Sequence, residues 1–430
     1  MSEIRYRRPA ILDRIPRDNH AVIEAGAGCG KTHTIAHLVL ELLLAAPCAL
    51  EQILVVTFTD RATTELRRRI RGWLEQVLSG SAPIDGAPDG EVRTLDETAR
   101  PRLEEALFSF DRAPIFTIHG FCQRVLSELA FDSAMSMRLD VVDSRGAFHR
   151  AFRAELREAL ASGSPARTLV AEWLESGGDG GARGNLTDSL EDLLYKAYVN
   201  RYLEMRRSRA SGGDPLEVRA VDGLLPPVAE RLLRDKRERG QIDYDDMLLQ
   251  VWRAIEGGGA IVAALRARLR YAVVDEFQDT DDLQWRIFHR IFVGAEPGNC
   301  LYVVGDPKQA IYGFRGADVF SYLRARQELH SRGAASVPLT RNFRSTADLI
   351  GACNLIFDQR AATPIFTGEI RHDAPAQCGR PGLSARTPAE SRIAPATLFR
   401  YAPAGAPGSA PQMRAAIGRR PARAPSRCRG

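Results

Sequence analysis

Lysine is nearly missing from these 430 residues: only Lys31, Lys196, Lys236 and Lys308 stand among 59 basic side chains. The bias toward arginine points to a GC-rich coding sequence, and it singles out each surviving lysine for attention. Cysteine is sparse as well. The seven Cys form no C-x-x-C pair and no Cys/His cluster at metal spacing. That excludes a structural zinc site and fits reduced thiols. Long apolar runs are absent. The longest, residues 35–50, is broken by His37 and Glu41 and is too short to span a bilayer. The N-terminal "MSEIRYRRPAILDRIPRD" has no apolar core, so it is not a signal peptide. A soluble cytoplasmic chain with no membrane partner is expected. Net charge is +5, but residues 361–430 alone hold eleven Arg, no Lys and three acids. The first 360 residues are therefore slightly acidic, and net charge gives no argument for nucleic-acid binding by them.

What is present is the composition of an ordinary globular protein, 44% apolar and 26% charged, with room for two or three domains. "HAVIEA" (20–25) reads as a buried parallel strand. After a glycine-rich loop, Ile35, Leu38, Val39, Leu42 and Leu43 repeat on one helical face. "ILVVTFT" (53–59), "YAVVDE" (271–276) and "LYVVGD" (301–306) are further strands, and "ATTELRRRIRGWLEQVL" (62–78) is a helix. Its Arg67–Arg69 run is expected to be a solvated face opposite Leu66, Ile70 and Trp73. Strands alternating with helices, with polar residues at the strand C-termini, predict an α/β fold: a doubly wound parallel sheet with its ligands at that edge. "SRGAFHRAFRAELREALAS" (144–162) and "LTDSLEDLLYKAYVNRYLEM" (186–205) are helical, with a glycine-rich break at 176–184. They predict a helical insertion over 126–240, between α/β-domain segments 1–125 and 241–336. Residues 361–430 hold ten of the 24 prolines and show no periodicity, which predicts a disordered Pro/Ala/Arg/Gly tail. A shifted reading frame in GC-rich DNA is one origin for such a tail, and sequencing the locus would test it.

"AGAGCGKT" (25–32) fits the P-loop pattern except that Ala25 stands for the first Gly. The backbone of Ala25, Gly26, Ala27, Gly28, Cys29 and Gly30 is expected to wrap the β-phosphate of a nucleotide. Lys31 would reach the β- and γ-phosphates and Thr32 would ligate Mg²⁺. A ligand-free strand-to-helix turn is the alternative. In "YAVVDEFQDTDDLQ" (271–284) an apolar strand delivers Asp275, which would hold Mg²⁺, and Glu276, which would activate the attacking water. An acidic capping loop is the alternative there. Together these predict a nucleoside triphosphatase of undefined class.

The class comes from a resemblance. "VVTFTDRATTELRRRI" (55–70), "FTIHGFCQRVL" (116–126), "DEFQDT" (275–280), "VGDPKQAIYGFRGAD" (304–318) and "LTRNFRS" (339–345) follow in that order. The set resembles superfamily 1 DNA helicases of the UvrD/RecB type, over roughly residues 20–350. "TIHGFCQRVL" and "IDYDDML" (242–248) are similar to the RecB branch, the exodeoxyribonuclease V beta subunit. The resemblance implies a RecA-like P-loop NTPase fold, with ATP and Mg²⁺ as cofactors. It also implies movement 3′ to 5′ on single-stranded DNA, a role in repair and recombination, and other subunits of a RecBCD-like complex as partners. It implies Gln309 as γ-phosphate sensor, Arg344 as arginine finger and Phe343 as the adenine-stacking aromatic. Thr57, Phe58, Thr59, His119, Phe121, Tyr312, Phe314 and Arg315 match segments that touch DNA. Tyr312 and Phe314 as core aromatics, and His119 as a structural histidine, are the alternatives. Lys308, inside a nucleotide motif, is expected on phosphate or DNA.

Two departures from the family pattern stand out. No Gln precedes the P-loop to read adenine; the first is Gln52. The resemblance also fades after "NFRSTADLIGACNLIF", so residues 337–360 are expected to be the start of a truncated second motor domain. A non-catalytic module that binds ATP and single-stranded DNA is the rival expectation.

Overall fold

The computed structural model describes residues 5–45, 48–79, 90–95, 98–132, 140–162, 165–176, 186–199, 216–294, 298–311, 319–361 and 363–383. The chain opens with β1 (Arg5–Arg8), β2 (Ala21–Ala25), α1 (Lys31–Ala45), β3 (Ile53–Thr57), α2 (Asp60–Leu78) and β4 (Glu91–Thr94). Then come α3 (Ala99–Phe108), β5 (Ile115–Thr117), α4 (Ile118–Asp132), β6 (Asp140–Val141), α5 (Ser144–Ser162), α6 (Pro165–Glu175), α7 (Leu186–Val199) and α8 (Leu216–Glu238). β7 (Gln241–Ile242), α9 (Tyr244–Gly257), α10 (Gly259–Arg268), β8 (Tyr271–Val274), α11 (Asp282–Phe292) and β9 (Cys300–Gly305) return to the sheet. The described part ends with α12 (Val319–Ser331), β10 (Ala335–Leu339), β11 (Arg341–Asn342), α13 (Ala347–Ile356) and β12 (Gln377–Cys378).

Six strands form one sheet in the order β10-β2-β9-β8-β3-β5, and every neighbouring pair is parallel. Side-chain alternation explains why the central strands read as unbroken apolar runs. Ile53, Val55, Tyr271, Val273, Tyr302 and Val304 join the core under α1, α2 and α3. Their neighbours Leu54, Val56, Ala272, Val274, Leu301 and Val303 join the opposite core under α4 and α9–α12. With both faces covered, each position is apolar. This is the expected α/β doubly wound RecA-like architecture.

The helical insertion is real and has its own core. Phe148, Phe152, Trp173, Leu194, Tyr198, Leu224 and Leu232 of α5–α8 pack together. Its expected start at 126 is displaced: α4 runs on to Asp132, and Leu126 and Leu129 still pack against the sheet-face core that holds Phe121, Cys122 and Val125. The expected break at 176–184 and the end of the second insertion helix, 200–205, lie almost wholly outside the described residues.

Two further expectations change. The boundary at 337 is displaced, because β10 pairs with β2 and belongs to the first sheet. Residues 363–383 are not a disordered tail: β12 pairs in parallel with β11, and Ile370 packs on the core under α4 and α9–α12. Residues 384–430 lie outside the described residues. The polar breaks in the 35–50 run prove to be buried. The Tyr6 hydroxyl is 2.8 Å from His37 Nδ1, and Arg8 Nε donates to Glu41 at 2.9 Å. Among the described residues no single helix is long and apolar enough to cross a membrane.

Candidate active site

The C-terminal edge of the sheet gathers most of the expected nucleotide residues. Residues 26–30 turn from β2 into α1, and the turn is possible because Gly28 and Gly30 take φ of +78° and +85°. Space as well as dihedral demands glycine at 28. A Cβ there would lie 2.7 Å from Arg344 Cβ and 3.0 Å from Asn342 Oδ1. The turn closes on itself through Cys29 N–H, which donates to Gly26 O at 3.2 Å. Cys29 is buried and its thiol is pushed up by burial. Lys31 and Thr32 then open α1.

Strand β8 delivers the acids. Lys31 Nζ donates to Glu276 Oε2 at 2.6 Å. Glu276 is the one described non-glycine residue with positive φ, +50°, a strained conformation of the kind held at functional positions. The Glu276 N–H donates to Asp275 Oδ1 at 2.9 Å. Asp275 and Asp279 are both pushed up to about 6, by burial first and then by the Glu276 charge. Asp279 Oδ1 is a buried acceptor with no partner among the described residues.

Strand β9 supplies the third side. Gln309 Nε2 donates to Asp306 Oδ2 at 2.7 Å and, more weakly, to Ala25 O at 3.5 Å. Lys308 closes onto Asp306 at 2.7 Å, a partner the sequence did not reveal. Gln278 was not foreseen either. Its Nε2 donates to Glu276 at 2.8 Å while its Oε1 accepts from Asp306 N at 3.0 Å, so it joins the two acidic motifs. Both residues lie inside recognised motifs, which was the available signal.

The fourth side is residues 342–344. Phe343 N–H donates to Gly28 O at 2.9 Å, and the Phe343 ring lies against Gly30. Arg344 is exposed, with its Cβ over Gly28. The sheet edge thus brings together Ala25–Thr32, Asp275, Glu276, Gln309, Phe343 and Arg344, which share no continuous stretch of chain.

The expected DNA residues divide. Thr57 is buried and its hydroxyl lies 2.5 Å from that of Thr63. Thr59 is exposed and caps α2, accepting from Ala62 N at 3.2 Å, while Phe58 is half-buried. His119 stands at the same edge with its ring 4.5 Å from that of Tyr244, which is 53% exposed. Burial holds His119 below its ordinary pKa. Phe121 is corrected: its ring is buried in the core, stacked 6.3 Å from Phe288, and offers no surface to a strand. Tyr312, Phe314 and Arg315 lie outside the described residues. The solvated-face reading of Arg67 is corrected as well, since its guanidinium donates to Ala113 O and Ile115 O at 3.0 Å. Trp73 is half-buried, packed on His33 and His37.

The model of the family "UvrD/REP helicase N-terminal domain" matches residues 13–330. The chain belongs to the UvrD/REP helicase family. Within it, the chain is similar to the RecBCD enzyme subunit RecB of Escherichia coli K12, 31% identical over 80% of this chain and 38% of the relative. RecB of Mycobacterium tuberculosis CDC 1551 is 34% identical over 79% of this chain and 30% of the relative. The ATP-dependent DNA helicase UvrD2 of Mycobacterium bovis is 30% identical over 81% of this chain and 42% of the relative. The chain therefore spans less than half the length of these helicase relatives.

Proposed function

We propose that this chain is the N-terminal motor portion of an ATP-dependent DNA helicase or translocase of the UvrD/RecB type. The observation that carries this reading is the convergence of Lys31, Glu276, Gln309 and Arg344 on one sheet edge, around a glycine turn with no room for a side chain. The residues fit magnesium nucleotide. Thr32 and Asp275 offer hard oxygen donors, and the unpartnered Asp279 Oδ1 leaves acceptor capacity within the field of Glu276 and Lys31. Bound Mg²⁺ would supply charge neutralisation on the β- and γ-phosphate oxygens.

The rest follows from the chain's own groups. Turn N–H groups and the start of α1 bind the phosphates. Lys31 is held by Glu276 in this structure. A γ-phosphate that takes Lys31 releases the Glu276 carboxylate to orient and deprotonate water for in-line attack. Gln309 and Arg344 stabilise the charge that develops. Thr59, His119 and the exposed Tyr244 lie along the neighbouring strand ends, where a single strand of DNA would pass. Stacking on such rings is sequence-tolerant, as a motor on arbitrary DNA requires.

The test is steady-state ATP hydrolysis by the 430-residue chain, with and without single-stranded DNA, against Glu276→Gln as blank. DNA-stimulated turnover above the blank is expected. Lys31→Ala should abolish nucleotide binding, and an unchanged ATP affinity in that variant would refute the reading.

A further inference from the structure

Asn342 has no assigned role, yet it is the most heavily bonded residue at the junction between the P-loop turn and residues 343–345. It is 9% exposed. Its Nδ2 donates to Ala27 O at 2.8 Å, and its Oδ1 accepts from both Arg344 N and Ser345 N at 2.9 Å. Its own carbonyl accepts from Gly379 N at 2.8 Å. The next residue, Phe343, sends its N–H to Gly28 O at 2.9 Å. Two successive carbonyls of the turn are thus held from one side by two successive residues.

Peptide planarity turns that clamp into a statement about phosphate binding. In a trans peptide the C=O of one residue and the N–H of the next point in opposite directions. Fixing the carbonyls of Ala27 and Gly28 toward residues 342–343 therefore fixes the N–H groups of Gly28 and Cys29 away from them. The Cys29 N–H is spent on Gly26 O at 3.2 Å, so the Gly28 N–H is the donor that the clamp turns toward a phosphate. At the other end of the same carboxamide, Oδ1 sets the backbone of Arg344. We infer that Asn342 is a positioning residue that locks the P-loop turn and Arg344 into one unit, so that this phosphate donor and the γ-phosphate arginine are arranged together. The inference rests on the nucleotide reading above.

The experiment uses the full chain and measures MgADP and MgATP affinity with fluorescent analogues, alongside thermal melting. Asn342→Asp keeps the acceptor for Arg344 N and Ser345 N but loses the donor to Ala27 O. Asn342→Ala loses both. MgADP binding should weaken about tenfold in either variant, the worth of ordering one buried polar contact on binding rather than beforehand. ADP has no γ-phosphate, so this loss cannot come from Arg344 directly. Arg344→Ala should reduce the preference for ATP over ADP in the wild-type background and in Asn342→Asp, but much less in Asn342→Ala. Wild-type MgADP affinity in a folded Asn342→Asp protein, or full additivity with Arg344→Ala in Asn342→Ala, would overturn the inference. Lys31→Ala separates the two failures. If it still binds nucleotide, the underlying reading is wrong; if it does not while Asn342→Asp binds normally, only the clamp is wrong. Should both Asn342 variants melt below assay temperature, hydrogen exchange on the wild-type chain decides. Magnesium pyrophosphate has no base to stack on Phe343. It should slow exchange at 341–345 together with 26–30, and protection at 26–30 alone would overturn the clamp.

Discussion

In an arginine-rich chain, a retained lysine marks a place where a guanidinium does not serve. Lys31, Lys236 and Lys308 each close onto a carboxylate, at 2.6 Å from Glu276, 2.7 Å from Asp246 and 2.7 Å from Asp306. A compact ammonium fits these pockets, whereas a planar fork needs width and bidentate geometry. His37 shows the opposite economy: it is buried and kept neutral. Its Nδ1 meets Tyr6, its Nε2 lies 3.2 Å from His33 Nε2, and Trp73 packs on it at 4.2 Å. Burial first, and the His33 charge second, lower its pKa to about 2, against 6.5 for a free histidine. Below pH 6.5 the unfolded chain takes up a proton that the folded chain refuses. Stability is therefore full above that pH and falls as pH drops, by about 1.4 kcal/mol per unit for this one group. Melting curves at pH 7.5, 6.5 and 5.5 should show the fall, and His37→Gln should make it shallower, with His33, which burial holds down at about 4, keeping a share of it. An identical acid slope in the variant would reject His37 as a cause.

At the scale of elements, the helical insertion is tied to the sheet domain through a buried charge cluster. Lys236, in the last turn of α8, pairs with Asp246 and Asp243, and the Tyr198 hydroxyl lies 3.4 Å away. Asp243 also caps α9, accepting from Asp246 N at 2.8 Å. Two carboxylates and one ammonium, all nearly dry, depend on one another. Replacing the ammonium strands both acids, and Lys236→Met should cost about 3–5 kcal/mol. Melting temperature reads the loss, and adding Asp243→Asn and Asp246→Asn to Lys236→Met should restore part of it. A melting temperature for Lys236→Met equal to wild type would contradict the cluster's structural weight. The sequence made the helices on either side legible, because an apolar face repeats with helical period. Helix α5 occupies the expected stretch 144–162 from end to end. The cluster itself left no such trace, since Lys236 and Asp243 meet across the tight turn at Gly240, whose φ is +61°. The boundary at 126 was illegible for a related reason. Helix α4 continues through it, and nothing local marks where its packing partners change.

At the scale of the molecule, legibility followed burial. Strands β2, β3, β8 and β9 lie inside the sheet with both faces covered, so each is an apolar run visible by eye. The edge strands are short and weakly patterned: β5 has three residues, and β10 carries Pro338, as an edge strand can. Most of the residues gathered at the sheet edge were legible because a strand–glycine turn–helix joint and acids at strand ends leave local patterns in the sequence. Asn342, Gln278 and Asp306 were not, because their roles exist only after distant motifs meet. Least legible was the stretch after residue 360, where composition argued for disorder. Gln377 N donates to Thr340 O, Gly379 N to Asn342 O and Ala376 N to Asn354 Oδ1, while Asn354 returns a bond to Ala376 O. A Cβ on Gly379 would lie 2.6 Å from the Phe343 ring, so this stretch backs the aromatic that faces the P-loop. It contributes to the site from outside every recognised motif. A chain ended after Arg360 should therefore be less stable than one ended after Leu383, by about 2–4 kcal/mol from the lost hydrogen bonds. It should also bind MgADP more weakly, because Asn342 and Phe343 lose their support. Melting and nucleotide titration of the two truncations decide it. Equal melting temperatures and equal affinities would mean that residues 361–383 only rest against the fold, and that the clamp on the P-loop stands without them.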